Sequence, residues 1–254
     1  MTVGERKALA VRWVEIAGDS LQVALHVGSN CQADSIELAN HARHLGVTAV
    51  AAVAPSYFKP ATVLDLLDFL APIAAAAGPL PFYYYHIPCM TNVRLPVTDL
   101  LREARGKIPN LRGLKFSHDD LVDLQGCITA DGGAYDVLFG FDEALLAGLG
   151  FGVAGAVGGT YNFAAPLYQR LMRAAAEGDM ATARSAQFLA TEMVKHLAAL
   201  GFSAASKAVM SFVGVDCGPV RPPLHNLSPV QLRALYDKLA SLDAFARPLK
   251  QQPL

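Results

Sequence analysis

The sequence predicts an α/β fold in which a parallel sheet is covered by helices. Six short apolar runs lie in the first 178 residues of this 254-residue chain, and each precedes a segment with helical spacing. Runs that are apolar at consecutive positions are typical of strands buried on both faces, and their alternation with helices is typical of a parallel sheet. Three more helical segments follow without intervening strands.

The composition indicates a globular protein with a large core. Hydrophobic residues make up 53% of the chain and charged residues 17%, and the formal net charge is -1. These values argue against disorder, and the lack of a basic patch argues against nucleic acid or an anionic membrane as partner. The four cysteines are scattered without the spacing of a zinc site, and no apolar run has the length of a membrane span. We expect a soluble, cytoplasmic protein with free thiols.

The elements follow one another with few long loops. The predicted strands cover residues 21–28, 47–54, 81–88, 111–117, 135–141 and 152–159. The clearest helices of this part cover residues 5–17, 34–45, 119–128 and 164–176. Thr62, with Asp65 three residues on, is predicted to cap another helix, and Pro96 to open one. A short helix is predicted through Asp142 and Glu143.

The alternation stops after Gly178, where helices are predicted over residues 179–200, 204–213 and 228–242. Ser228 and Pro229 give the last of these a typical N-terminus. We expect residues 1–178 to form the sheet-containing part and residues 179–254 a helical extension of the same domain.

Two architectures have strands that alternate with helices: an open doubly wound sheet and a (β/α)8 barrel. A G-x-G-x-x-G motif after the first strand is absent, and Gly155, Gly158 and Gly159 come late in the chain. The barrel of the TIM type is therefore favoured. With six strands it would be an incomplete barrel, two strands short of eight.

Two of the predicted strands carry polar groups that a buried strand should avoid. Alternation puts Lys115 on the same face as Gly113, and Tyr85 on the same face as Tyr83. In a barrel these faces point inward, and the C-terminal ends of the strands hold the active site. A lysine partly removed from water loses its proton more readily, so its amine can attack a carbonyl while a phenol moves a proton. The alternative is a lysine that pairs with an acid such as Asp142 or reaches water.

Four ordered motifs carry a resemblance that covers nearly the whole chain. They are Tyr-Tyr-Tyr-His-Ile-Pro (83–88), Gly-Leu-Lys-Phe-Ser (113–117), Gly-Phe-Asp-Glu (140–143) and Gly-Ala-Val-Gly-Gly-Thr-Tyr-Asn (155–162). In this wording and order the chain resembles the animal type of the N-acetylneuraminate lyase family, within the superfamily that also contains dihydrodipicolinate synthase. The resemblance implies a Schiff-base aldolase that acts on sialic acid and pyruvate, without metal or cofactor, as a homotetramer.

The resemblance also implies roles for individual residues. Lys115 matches the lysine that forms a Schiff base with the substrate ketone, and Tyr85 matches the tyrosine that relays a proton. The positions that match substrate contacts are Ser117, Gly140, Asp142, Glu143, Gly158 and Gly159.

Four positions refine or depart from the family pattern. Gly159 stands where the family usually has serine, and Asn92 where it often has glycine. Met90 stands where the synthase branch typically has an arginine for a second carboxylate, which disfavours a synthase. Tyr57 resembles the synthase tyrosine that reaches a neighbouring subunit, although local packing explains it equally well.

The most serious departure is at the N-terminus. Family members begin with two strands and a helix that include a carboxylate-binding Gly-Thr-Thr-Gly-Glu loop, whereas Thr2-Val-Gly-Glu-Arg6 resembles the helix after that loop. We therefore expect a shortened barrel with unpaired sheet edges. A non-catalytic homologue that binds sugars or joins oligomers, and another 2-keto acid aldolase, are the alternatives that this leaves open.

Overall fold

The computed structural model of the protein describes residues 1–246 and 248–250. Six strands form one sheet in chain order, and the four registers between β1 and β5 are all parallel. The strands are β1 (Ala24–His26), β2 (Ala49–Val53), β3 (Phe82–His86), β4 (Leu111–Phe116), β5 (Asp136–Phe139) and β6 (Gly155–Ala156). The predicted parallel sheet with a helix after each strand is confirmed.

Helices follow every strand and continue beyond the sheet. Those up to the fifth strand are α1 (Val3–Ala17), α2 (Gln32–Leu45), α3 (Val63–Ala76), α4 (Pro88–Thr91), α5 (Val97–Glu103) and α6 (Leu121–Thr129). The later ones are α7 (Leu145–Phe151), α8 (Tyr161–Ala176), α9 (Met180–Ala199), α10 (Phe202–Phe212) and α11 (Pro229–Ala240). Short 3-10 turns cover Ala130–Gly133 and Asp142–Ala144.

Local sequence signals place several helix ends. The Thr62 hydroxyl accepts from the Asp65 N–H, and the Asp65 carboxylate accepts from the Thr62 N–H, which forms the predicted capping box of α3. Ser228 and Gln231 form the same box at α11. Both helices therefore begin where the sequence predicts.

All six strands are shorter than predicted, and the first and the last are shortened most. The run 21–28 keeps only Ala24–His26 as strand, because β1 has one neighbour in the sheet and so half of the ladder bonds of an inner strand. The glycine-rich run 152–159 keeps only Gly155–Ala156. Gly152 at its start has φ 91° and serves as the left-handed C-cap of α7, which a strand residue could not do.

The chain folds as two compact units. The first comprises residues 1–139 and 153–155, and the second comprises residues 140–152 and those from 156 onward. The predicted division at Gly178 separates the sheet-containing residues from the three C-terminal helices. It is a different kind of division and stays a prediction.

The free edge of β1 borders a groove in the first unit. Helix α1 and β1 line a cavity of about 730 Å³, and Leu9 and Trp13 of α1 are about half exposed beside it. The Arg6 guanidinium donates to the backbone oxygens of His26 (2.6 Å) and Gly28 (3.1 Å) and so ties α1 to the end of β1. Among the described residues, no helix has the length and hydropathy that crossing a bilayer requires.

Candidate active site

The structure brings Lys115 and Tyr85 together on neighbouring strands. They are register partners in the β3–β4 ladder, next to the last residues of both strands. Both side chains are half-buried, and the Lys115 Nζ lies 4.3 Å from the centroid of the Tyr85 ring. Such a cation over an aromatic face is stabilised by the ring quadrupole. The predicted pairing of an amine with a phenol near the C-terminal ends of two strands is therefore present.

Tyr83, two residues before Tyr85 on the same face of β3, has a hydrogen-bond partner. Tyr83 donates to the Asp136 carboxylate at 2.8 Å, across the strand that carries Gly113. A Cβ on Gly113 would lie 1.9 Å from the backbone oxygen of Asp136, so only glycine fits between them. Burial, reinforced by the hydrogen bond and charge of Asp136, raises the pKa of Tyr83 to about 12. Tyr83 is thus held as a protonated donor to Asp136.

His26, at the end of β1, extends this group of side chains. Its ring meets the Tyr85 ring edge to face, with 5.9 Å between the centroids. Burial of the ring nitrogens, followed by the charges of Arg6 and Lys115, lowers the pKa of His26 to about 4. The imidazole is therefore neutral at pH 7. Sequence reasoning missed His26, although a histidine inside a predicted strand is a usable signal.

The opposite face of β3 and β4 is core. Phe82, Tyr84, His86 and Phe116 are all at most 2% exposed, and the His86 ring lies 5.3 Å from that of Phe116. Ser117 follows β4, is buried, and donates its N–H to the His86 oxygen at 2.8 Å. Its predicted contact with substrate stays a prediction.

In the second unit, Asp142 is the centre of a buried polar group. The side chain is 4% exposed, and its Oδ2 accepts from both the N–H (2.8 Å) and the hydroxyl (2.5 Å) of Thr160. The Thr160 hydroxyl also lies 2.6 Å from the Tyr168 hydroxyl. Sequence reasoning included Asp142 but missed Thr160 and Tyr168.

The glycines of the 155–162 motif lie against large groups. A Cβ on Gly158 would lie 1.8 Å from the Asp142 Oδ1, so the backbone of the loop rests on the carboxylate. A Cβ on Gly159 would lie 2.9 Å from the Phe202 ring. Glycine at 159, where the family usually has serine, therefore leaves room for that ring. Glu143 is exposed and Gly140 is half-buried.

Comparisons with known proteins decide the family. The model of the Dihydrodipicolinate synthetase family matches residues 1–241. The chain belongs to this family. Its relatives include the N-acetylneuraminate lyase of Gallus gallus, 41% identical over 246 residues (95% of this chain and 80% of the relative), and that of Homo sapiens, 40% identical over 247 residues (96% and 77%).

Solved structures of the family have the same fold. The Proteus mirabilis N-acetylneuraminate lyase matches with a TM-score of 0.93 at 36% identity, over 96% of this chain and 83% of that one. The Bacillus anthracis dihydrodipicolinate synthase matches with a TM-score of 0.89 at 26% identity, over 95% and 82%. The predicted barrel type is confirmed, with six strands described here.

Two further family positions lie in loops beside these strands. Asn92 adopts the left-handed conformation (φ 54°) as C-cap of α4, which agrees with its predicted place in a turn. Met90, at the position of the synthase arginine, is 76% exposed. Tyr57 is equally exposed and packs edge to face on Phe58, so local packing is the contact that is present.

The site residues thus fall into two sets. The first unit holds Lys115, Tyr85 and Ser117, of which the first two are in contact. The second unit holds Gly140, Asp142, Glu143, Gly158 and Gly159. In this set the Asp142 carboxylate lies directly against Gly158.

Proposed function

We propose that this chain is a class I aldolase that cleaves N-acetylneuraminate to N-acetylmannosamine and pyruvate. Relatives near 40% identity over about 95% of the chain are N-acetylneuraminate lyases. The observation that carries the proposal within this chain is the pairing of Lys115 with Tyr85. A primary amine and a phenol side by side are the two groups that a Schiff-base aldolase needs.

Lys115 supplies the electron sink. After the ammonium gives up a proton, its amine adds to the C2 ketone of the open-chain sugar acid, and loss of water gives an iminium. The iminium accepts the electron pair of the C3–C4 bond as that bond breaks. A carboxylate or a hydroxyl at this position could not form such an intermediate.

Tyr85 moves the proton. As N-acetylmannosamine leaves, the Tyr85 oxygen accepts the proton of the C4 hydroxyl and passes its own phenolic proton to the substrate carboxylate. The remaining enamine is protonated at C3, and hydrolysis releases pyruvate and the amine. Tyr83 cannot take this role without breaking its bond to Asp136, and removing a hydrogen bond to a charged group typically costs about 1.5–3 kcal/mol.

The groups of the second unit are proposed to hold the polyol tail of the sugar. The exposed Glu143 carboxylate has free capacity for hydroxyl donors. Gly158 and Gly159 are proposed to contact the sugar through their backbone. Ser117 and Gly140 complete the proposed contacts. Family resemblance further suggests a cytoplasmic homotetramer.

Borohydride trapping tests the proposal directly. The purified chain is incubated with pyruvate and sodium borohydride, and peptides are mapped by mass spectrometry. We expect a reduced pyruvyl adduct on Lys115, and release of pyruvate from N-acetylneuraminate in a coupled assay. The Lys115→Arg variant should lose both, whereas Lys107→Arg, which changes a surface lysine paired with Asp68, should keep both.

No adduct at saturating pyruvate, while an N-acetylneuraminate lyase relative reacts in parallel, would refute the lyase assignment. An adduct without sugar cleavage would instead favour another 2-keto acid aldolase.

A further inference from the structure

We infer that Thr160 and Tyr168 are positioning residues for sugar recognition, acting through Asp142. This inference rests on the proposed function, because it concerns how the proposed sugar contacts are held. Thr160, Tyr168 and Asp142 are 0%, 3% and 4% exposed and form one connected set of hydrogen bonds. Three buried polar side chains that satisfy one another fix a single geometry.

The direction of each hydrogen bond follows from the chemistry of the groups. The Thr160 hydroxyl donates its one proton to the Asp142 Oδ2, which accepts it. The Tyr168 hydroxyl must then donate to the Thr160 oxygen. Burial raises the pKa of Tyr168, so the phenol keeps the proton that this chain requires. The order is Tyr168 to Thr160 to Asp142.

The carboxylate is also held from its other side. With Oδ2 occupied by both Thr160 donors, Oδ1 is left facing the Cα of Gly158, where no side chain fits. The ring of Tyr161 packs on that of Tyr168 at 4.2 Å between centroids and steadies the start of α8. The Asp142 side chain and the backbone of residues 158–159, both proposed to contact the sugar, are therefore held against each other.

The backbone around Asp142 is tied to α9 in the same way. The Gln187 amide donates to the Asp142 backbone oxygen (3.2 Å) and accepts from the Leu146 N–H (2.7 Å). The Thr191 hydroxyl donates to the Glu143 backbone oxygen (2.9 Å). Since the main chain is fixed independently, loss of the Thr160 hydroxyl should release mainly the carboxylate.

The test compares binding of sugar with reaction of pyruvate. Thr160→Val removes the donor at nearly constant volume, Thr160→Ser restores it, and Tyr168→Phe removes the donor to Thr160. Calorimetric titration with N-acetylmannosamine measures sugar binding without turnover, and borohydride trapping measures pyruvate at Lys115. Tyr236→Phe, which removes another partly buried phenol of the second unit, is the matched control.

We expect Thr160→Val to weaken N-acetylmannosamine binding and raise the KM for N-acetylneuraminate by about tenfold or more, the usual effect of losing a charge-assisted hydrogen bond. Trapping by pyruvate should be unchanged, Thr160→Ser should bind within about threefold of the unaltered chain, and Tyr168→Phe should fall between them. If Thr160→Val fails to fold, the affinities of Tyr168→Phe and Tyr236→Phe for N-acetylmannosamine are compared. Weaker binding by Tyr168→Phe alone supports the inference, and equal binding contradicts it.

Equal sugar affinity in all variants, or no sugar binding by the unaltered chain, would overturn the inference. Absence of the pyruvate adduct on the unaltered chain would overturn the proposed function alone, because the calorimetric comparison does not depend on the Schiff base.

Discussion

The buried His86 gives the fold a defined sensitivity to acid. Burial first, and the neighbouring His118 second, lower the pKa of His86 to about 4, against partial compensation by Asp123 and Asp120. In the unfolded chain the pKa of a histidine is about 6.5. Between these values the unfolded chain binds a proton that the folded chain does not. The free energy of unfolding is therefore highest above about pH 6.5 and falls as the pH drops toward 4.

The size of the effect follows from the two pKa values. The full difference corresponds to about 3 kcal/mol, of which about 2 kcal/mol is lost between pH 7 and pH 4.5. His86 is only 1% exposed, so solvent screening leaves this value largely intact. This loss is a large share of the stability of an ordinary domain.

Urea unfolding at pH 7 and pH 4.5, followed by circular dichroism, measures the loss. The His86→Phe variant keeps an aromatic ring between Tyr84 and Phe116 but cannot be protonated. It should lose about 2 kcal/mol less than the unaltered chain over this interval. His44→Gln, at an exposed position, serves as control and should follow the unaltered chain. Equal losses in the unaltered chain and His86→Phe would refute the assignment of a neutral, buried imidazole.

Two glycines give further predictions. Gly158→Ala places a methyl group 1.8 Å from the Asp142 Oδ1 and should lower the midpoint of thermal unfolding by several degrees. The control is Gly150→Ala, which has open space around it in α7 and should leave the midpoint unchanged or higher. Equal midpoints for the two variants would contradict the tight contact at Gly158. Gly159→Ser should lower the free energy of unfolding by about 1 kcal/mol, because the new side chain displaces the Phe202 ring. Phe202→Leu in the same chain should restore this stability. Additive effects in the double-mutant cycle would show that the two positions do not touch.

The contact between Lys115 and Tyr85 could be predicted from sequence because it depends on short-range rules. Alternation along each strand and the tendency of consecutive strands to pair are enough to place both on one face. The observed register, in which Tyr85 is opposite Lys115, is the outcome of those rules.

The network of the second unit could not be predicted in that way. Thr160 and Tyr168 are eight residues apart, and Asp142 lies eighteen residues before Thr160. Their meeting depends on how α8 begins, and this helix starts at Tyr161, three residues before the predicted start. Non-helical angles at Ala164 (φ -121°), two residues before Pro166, explain the difference, since proline removes a helical hydrogen bond and a turn can precede it.

The groove between α1 and β1 contains an intrinsic fluorophore, Trp13. Trp13 is the single tryptophan of the chain and is 52% exposed in the lining of this groove. Intrinsic fluorescence excited at the indole band therefore reports on one place in the molecule, the free edge of the sheet. Its emission will shift to shorter wavelength when any chain segment or molecule covers that edge. Covering of the sheet edge can thus be followed in solution without a label.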